Sequence, residues 1–150
     1  SIIAQFIPVI FVDIRPLKIS VPNLTMITGS ILDLPFEDSS VEFLTSLCVI
    51  EHVGLGRYGD PIDPLGSEKS FREISRVLMK GGFFMFSVPV ENGNTIYFNA
   101  HRAFSRTYIL EILEKNQLQL IEEKYIYGFK LENGYNPDNS GVGLFLTKKF

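Results

Sequence analysis

The hydrophobic pattern of the N-terminal third of the chain consists of three short apolar runs separated by polar turns. The runs cover 8–12, 24–28 and 41–50, and each is rich in Val, Ile, Leu or Phe. Continuous apolar runs of this length are typical of strands in a parallel sheet, because such strands are buried on both faces. We therefore predict three parallel strands that are covered on both sides.

Helical periodicity begins near Ser67. Ser70 and Glu73 have the spacing of a capping box, and the pair Gly81 and Gly82 is expected to end the helix. Apolar residues recur along one face of this predicted helix: Phe71, Ile74, Val77 and Leu78.

The rest of the chain continues the alternation of strands and helices. A long Gly-, Asn- and Pro-rich connection at 128–141 allows the last two strands to pair in antiparallel fashion. The order of elements predicts one α/β domain spanning 1–150. In chain order the remaining predictions are a strand over 83–88, a polar loop over 91–102, a helix over 107–115, and strands over 118–127 and 142–148.

Composition narrows the classes of function. The 150 residues are 45% hydrophobic and include 13 Phe, which supplies a core, and the net charge of -3 without a basic run disfavours nucleic-acid binding. A single cysteine excludes an internal disulfide, and two histidines argue against a zinc site. The single cysteine favours a reducing compartment, so we predict a cytoplasmic protein. No apolar run is long enough to span a bilayer, so we predict no membrane partner.

Polar residues follow each of the three predicted N-terminal strands. Asp13 ends the first strand, the turn-rich segment 29–36 follows the second, and Glu51 and His52 follow the third. Ligands of open α/β sheets bind beyond the carboxyl ends of the strands. The pattern therefore predicts a nucleoside-type pocket at this edge.

From Val9 onward, the order of elements resembles that of the class I S-adenosylmethionine-dependent methyltransferases, including the type 11 group. The resemblance rests on Asp13 and on the segments 29–36 and 76–83. It implies a Rossmann-like sandwich with a mostly parallel sheet and an antiparallel C-terminal strand. It also implies S-adenosylmethionine as cofactor and a small-molecule substrate.

The resemblance implies a set of cofactor-binding residues. Asp13 would bind the ribose hydroxyls, since a carboxylate accepts hydrogen bonds from both hydroxyls at once. Ser30 stands where the family usually has an Asp that binds the adenine amino group. A small buried apolar role is the alternative for Cys48. The implied residues are Asp13, Ser30, Ile31 and Cys48.

A narrower resemblance covers 51–64 and 98–102. These segments are similar to a methyltransferase-related domain family of unknown function first catalogued from nematode proteins. Only eight residues precede Val9. We therefore expect the domain to lack the family's first strand and glycine-rich loop. The incomplete sheet predicts an exposed apolar gap, which direct strand pairing or a homo-oligomer would close.

The segment 54–59 matches G-x-G-x-x-G, the dinucleotide-binding pattern. Prolines at 61 and 64 prevent the helix that would have to follow, so we predict a specialised loop. This loop is predicted to bind the methyl acceptor, and a solvent-exposed turn is the alternative. Its predicted substrate-binding residues are Arg57, Tyr58, Asp60 and Asp63.

Histidines supply the candidate general bases. His52 would accept a proton from the acceptor, Glu51 would orient it, and His101 is a third predicted catalytic residue. The alternative is that Glu51 and His52 only cap the strand. Asn99 and Arg102 are predicted to bind a polar or anionic acceptor, or else to satisfy the backbone of their own loop.

Together these features predict an S-adenosylmethionine-dependent methyltransferase, or a truncated remnant of one. Its substrate would be a small polar acceptor such as a sugar derivative. The alternative is a catalytically inactive binding or assembly module that keeps the methyltransferase-like fold.

Overall fold

A computed structural model describes residues 2–18, 20–97 and 100–150. The predicted order of strands and helices is confirmed, and three short strands, at Thr95–Tyr97, His101–Ala103 and Lys130–Glu132, are added to it. The elements are β1 (Val9–Asp13), β2 (Leu24–Thr28), β3 (Val41–Leu47), α1 (Gly66–Val77), β4 (Leu78–Val90), β5 (Thr95–Tyr97), β6 (His101–Ala103), α2 (Arg106–Lys115), β7 (Leu118–Tyr127), β8 (Lys130–Glu132) and β9 (Gly141–Lys149).

The strands form a parallel pair β1-β2, a hairpin β5-β6 and a five-stranded sheet in the order β3-β4-β9-β7-β8. In the five-stranded sheet β3 and β4 are parallel, whereas β9 is antiparallel to both β4 and β7. The antiparallel C-terminal strand is thus confirmed, but this sheet is mixed rather than mostly parallel. The helix α1 provides the crossover that the parallel pair β3-β4 needs. The pairs β4-β9, β9-β7 and β7-β8 are antiparallel.

The core lies on one face of the five-stranded sheet. Phe71 of α1 packs edge-on against Phe84 and Phe86 of β4, which in turn stack on each other. Three apolar residues of α2 join the same cluster. On the opposite face, Phe43 and Leu47 of β3 are 53% and 54% exposed. The α2 residues in the core are Ile109, Ile112 and Leu113.

Strand β1 is not buried on both faces, contrary to the prediction. Ile10 and Phe11 are exposed, and neighbouring side chains point to opposite faces of a strand. Among the described residues β1 pairs with β2 alone and β3 pairs with β4 alone. Burial of an apolar strand requires a covering layer, and Val12 of β1 packs against the core cluster whereas Ile10 and Phe11 face solvent. Direct pairing of β1 with β3 does not occur in the described part of the chain.

Several predicted boundaries shift. Helix α1 begins at Gly66, so the capping box is wrong, and the Ser70 hydroxyl instead donates to the Gly66 carbonyl. The helix ends at Val77, and β4 continues through Gly81 at a φ of 82°. Strand β3 ends at Leu47, and one turn of 3₁₀ helix follows at Ile50–His52. None of the described helices has the length and hydrophobicity needed to cross a membrane.

Candidate functional site

Asp13 and Arg15 form a fork-shaped ion pair at the carboxyl end of β1. Arg15 Nε donates to Asp13 Oδ1 and Arg15 Nη2 to Oδ2, each at 2.9 Å. The Arg15 backbone N–H also donates to Oδ1, at 2.8 Å. The Arg15 side chain lowers the pKa of Asp13, which therefore carries its charge at neutral pH.

Tyr58 connects this ion pair to the residues that follow β3. The guanidinium carbons of Arg15 and Arg57 lie 5.5 and 5.6 Å from the centroid of the Tyr58 ring. The His52 ring meets the same ring edge-on, with centroids 5.6 Å apart. The structure thus brings together the predicted ribose-binding residue, the predicted substrate loop and the predicted general base. We call Asp13, Arg15, Tyr58, His52 and His101 the carboxyl-edge cluster.

The 54–63 loop is closed on itself. The Asp63 backbone N–H donates to the Gly54 carbonyl at 2.9 Å, and Leu55 and Ile62 form a bridge. Gly54 has a φ of 80°, and a Cβ there would lie 2.2 Å from the Asp63 carbonyl oxygen. Only glycine fits this position.

Asp60 organises the interior of this loop. Its carboxylate accepts from the backbone N–H of Gly54 at 2.7 Å and of Tyr58 at 3.2 Å. Burial raises the pKa of Asp60, but these backbone hydrogen bonds outweigh burial and leave it lowered. The N–H groups that a phosphate would need are therefore used by Asp60, which supports rejection of the dinucleotide pattern.

Arg102 and Asp63 hold the loop against the start of α1. Arg102 is 6% exposed, and its guanidinium donates to the carbonyls of Val53 and Asp63 and to the Ser67 hydroxyl. The Asp63 carboxylate accepts from the Lys69 ammonium at 2.6 Å. Both side chains are thus engaged in fixing the loop in place.

His52 is oriented by a backbone carbonyl. Its Nδ1 lies 2.7 Å from the Ala100 oxygen, to which Arg57 also donates. A carbonyl can only accept, so Nδ1 carries the proton and Nε2 is the acceptor nitrogen. Burial lowers the pKa of His52 and favours the neutral ring. The predicted orienting role of Glu51 is therefore filled by Ala100, a contact that sequence cannot reveal because it uses a main-chain atom.

Glu51 is almost fully buried beside His52. It is 2% exposed, and its Oε1 lies 3.8 Å from His52 Nε2, beyond hydrogen-bonding distance. Its Oε2 has no hydrogen-bond partner within the described chain. Burial raises the pKa of Glu51 to about 7. The carboxyl group therefore holds its proton more tightly than an exposed glutamate does.

His101 completes the carboxyl-edge cluster from the β5-β6 hairpin. Its ring centroid lies 6.5 Å from that of His52 and 5.0 Å from that of Tyr97. Asn99, also predicted on this loop, lies outside the described residues. Within the described ranges, no group of three or more His, Cys, Asp or Glu residues has the geometry of a metal site.

The remaining predicted cofactor residues follow β2 and β3. Ser30 lies in a turn, where its hydroxyl accepts from the Leu32 N–H, and the adjacent Gly29 N–H donates to the Asp13 carbonyl. Ile31 is partly buried against the core. Cys48 is exposed and has a φ of 52°, so the expectation of a buried cysteine is wrong. Strand β3 ends at Leu47, so Cys48 lies just outside the strand that the apolar run 41–50 predicts.

A separate apolar cleft of about 500 Å³ lies at the opposite edge of the sheet. Its lining includes Leu110, Leu113, Leu118 and Phe150. Leu118 pairs with Lys149 at the end of the sheet where β4 begins. The cleft is therefore separate from the carboxyl-edge cluster, which is where the titratable groups converge.

A family described as "Caenorhabditis protein of unknown function, DUF268" matches residues 34–116, more than half of the chain. The chain belongs to this family. The DUF268 match includes Glu51, His52, the 54–63 loop and Arg102, whereas Asp13 and Arg15 lie before it. No curated protein matches the chain.

Solved structures show the fold of this DUF268 protein. A Burkholderia thailandensis 1,6-didemethyltoxoflavin-N1-methyltransferase, solved with 1,6-didemethyltoxoflavin and S-adenosylhomocysteine, superposes with a TM-score of 0.68 at 13% identity, covering 95% of this chain and 61% of that one. A putative S-adenosylmethionine-dependent methyltransferase from Listeria monocytogenes has a TM-score of 0.64 at 11% identity, covering 94% and 79%.

A putative sarcosine dimethylglycine methyltransferase from Galdieria sulphuraria has a TM-score of 0.62 at 18% identity, covering 85% of this chain and 60% of that one. The DUF268 chain thus has the Rossmann-like class I methyltransferase fold. It spans about three fifths of the length of the Burkholderia and Galdieria proteins.

Proposed function

We propose that this domain binds S-adenosylmethionine at the carboxyl ends of β1, β2 and β3 and supports methyl transfer to a small polar acceptor. The observation that carries the proposal is the contact chain from Asp13 through Arg15 and Tyr58 to His52. These contacts connect the charged Asp13 carboxylate, which accepts hydrogen bonds, to the neutral imidazole of His52. Both lie at the edge of the sheet where ligands bind in this fold.

The residues at this edge fit the adenosyl group. Asp13 is ionised and only partly buried, so its carboxylate can accept from a ribose diol. Ser30 and Ile31 would lie on the adenine side, because the Gly29 N–H ties their turn to Asp13. Cys48, exposed after β3, would lie near the remainder of the cofactor. When bound, S-adenosylmethionine supplies a methyl group already activated by a sulfonium.

The acceptor would lie between His52, His101 and the 54–63 loop. As an acceptor hydroxyl reacts, its proton would pass to His52 Nε2, while Nδ1 stays bonded to the Ala100 carbonyl. Arg57 and Tyr58 would contact the acceptor, and Asn99 remains a predicted contact. Asp60, Asp63 and Arg102 would support the loop, and Glu51 would tune the proton affinity of His52.

We predict that Asp13→Ala weakens binding of S-adenosylhomocysteine about 10- to 100-fold, the loss expected for hydrogen bonds to a charged group. Isothermal titration calorimetry measures the change. Asp138→Ala is the matched control, because Asp138 is exposed in the connection before β9. Equal affinities of wild type and Asp13→Ala would remove Asp13 from the site, and absence of binding by the wild type would contradict the proposed function.

A second candidate function, an inactive assembly module, is favoured by the uncovered sheet face at Phe43 and Leu47. It predicts a homo-oligomer that becomes monomeric when both residues are replaced by Ser. Light scattering after size exclusion measures the mass. A monomeric wild type that binds S-adenosylhomocysteine would contradict this candidate.

A further inference from the structure

The hydrogen-bond capacity of Asp13 is almost filled by one neighbour. Oδ1 accepts both the backbone N–H and Nε of Arg15, and Oδ2 accepts Nη2. A carboxylate has about four lone-pair positions, so one position remains, on Oδ2. A vicinal diol brings two O–H donors, and at least one of them needs a position that Arg15 holds.

Arg15 is free to move aside without loss of core packing. Its side chain is 56% exposed, and that of Asp13 is 15% exposed. Exposed ion pairs are individually weak, even though a forked pair has better geometry than most. A ligand that offers two hydroxyls can therefore compete for Asp13.

A displaced Arg15 has a second contact already in place. Its guanidinium carbon lies 5.5 Å from the Tyr58 ring, and Arg57 lies 5.6 Å from the same ring. While Arg15 is bonded to Asp13 its charge is neutralised. Once it leaves Asp13, the guanidiniums of Arg15 and Arg57 would share one aromatic ring, and an anion placed between them would relieve their repulsion.

We propose that Arg15 is a switch residue: a ribose diol at Asp13 displaces its guanidinium, which then joins Arg57 at Tyr58 to bind a carboxylate or phosphate group of the acceptor. This inference rests on the proposed function, and it makes the acceptor an anion. Cofactor and acceptor would then bind with positive coupling, because each favours the same position of Arg15.

Calorimetric titrations with adenosine and with 2′-deoxyadenosine test the displacement step. Arg15→Met removes the competitor and is expected to tighten adenosine binding about two- to fivefold, the strength of an exposed ion pair. 2′-Deoxyadenosine keeps one hydroxyl, which the remaining position on Oδ2 accommodates, so its affinity should stay unchanged. Arg72→Met, on the exposed face of α1, is the charge-matched control.

These calorimetric titrations separate the possible failures. Weaker adenosine binding by Arg15→Met, or an equal change for both nucleosides, would overturn the displacement step while leaving the proposed function intact. Failure of every variant to bind adenosine would overturn this inference, and failure of the wild type to bind S-adenosylhomocysteine as well would overturn the proposed function. Thermal unfolding of each variant confirms that it is folded.

The anion step is tested with inorganic phosphate. Replacing chloride by phosphate at matched ionic strength should tighten adenosine binding to the wild type about fivefold, at the low end of typical coupling energies. Arg15→Met should lose this effect, and Arg72→Met should keep it. An unchanged affinity in the wild type, or a gain that persists in Arg15→Met, would overturn the assignment of an anionic acceptor.

Discussion

Replacing Phe86 by Ala is expected to lower the free energy of unfolding by about 3–5 kcal/mol. Phe86 is fully buried and stacks on Phe84 and Phe145, each with a centroid separation of 4.9 Å. Phe71 of α1 packs edge-on against the same ring at 5.2 Å. The substitution therefore opens a cavity where α1 meets the sheet. Urea denaturation, monitored by circular dichroism, measures the loss of unfolding free energy.

Phe43→Ala is the matched control for this prediction. Phe43 pairs with Phe83 on the neighbouring strand, so its side chain points to the face opposite that of the buried Phe84. It is 53% exposed, and we expect a loss of no more than about 0.5 kcal/mol. Equal losses from Phe43→Ala and Phe86→Ala would contradict a core confined to one face.

Glu51 is expected to make stability fall as the pH rises. Its pKa is about 7 in the folded chain against 4.5 for the unperturbed group, so the folded state holds its proton more tightly than the unfolded state. Below the unfolded pKa both states are protonated and stability is unaffected. Between the two pKa values the unfolded state ionises first, which costs the fold about 3 kcal/mol by the time the pH exceeds the folded pKa.

Glu51→Gln should remove this component of the pH dependence. We expect the variant to be more stable than the wild type above about pH 7.5, and the difference to shrink toward about pH 5. His52 has a lowered pKa and acts with the opposite sign, but it is present in both proteins and largely cancels in the comparison. Urea denaturation at a series of pH values measures the difference. Glu114→Gln, at an exposed position of α2, is the matched control.

The order of elements was predictable because it depends on local patterns. Apolar runs bounded by turn-forming residues located β1 and β2, and the long connection at 128–141 allowed the antiparallel pairing of β7 with β9. Asp13 is a candidate for the same reason, since it stands directly after an apolar run. These inferences need only the sequence near each element.

Burial and contact partners were less predictable because they depend on residues far away in the chain. The apolar run at 8–12 looks like a doubly covered strand, but coverage requires layers that its own sequence does not encode. The hydrogen bond from His52 uses the carbonyl of Ala100, and a carbonyl is present at every residue. Cys48 was misplaced because the apolar run continues after the backbone has left the strand.

Because the 54–63 loop is closed at its base, the residues within the loop can change with little effect on the stability of the sheet. Gly54 and Asp63 are joined by a main-chain hydrogen bond, and Arg102 holds the Asp63 carbonyl from the side. When both ends of a loop are anchored, a change in its length changes the entropic cost of closing it only slightly. Residues 55–62 can therefore be exchanged as one unit without rebuilding the sheet, and under the proposed function such an exchange would change which acceptor binds.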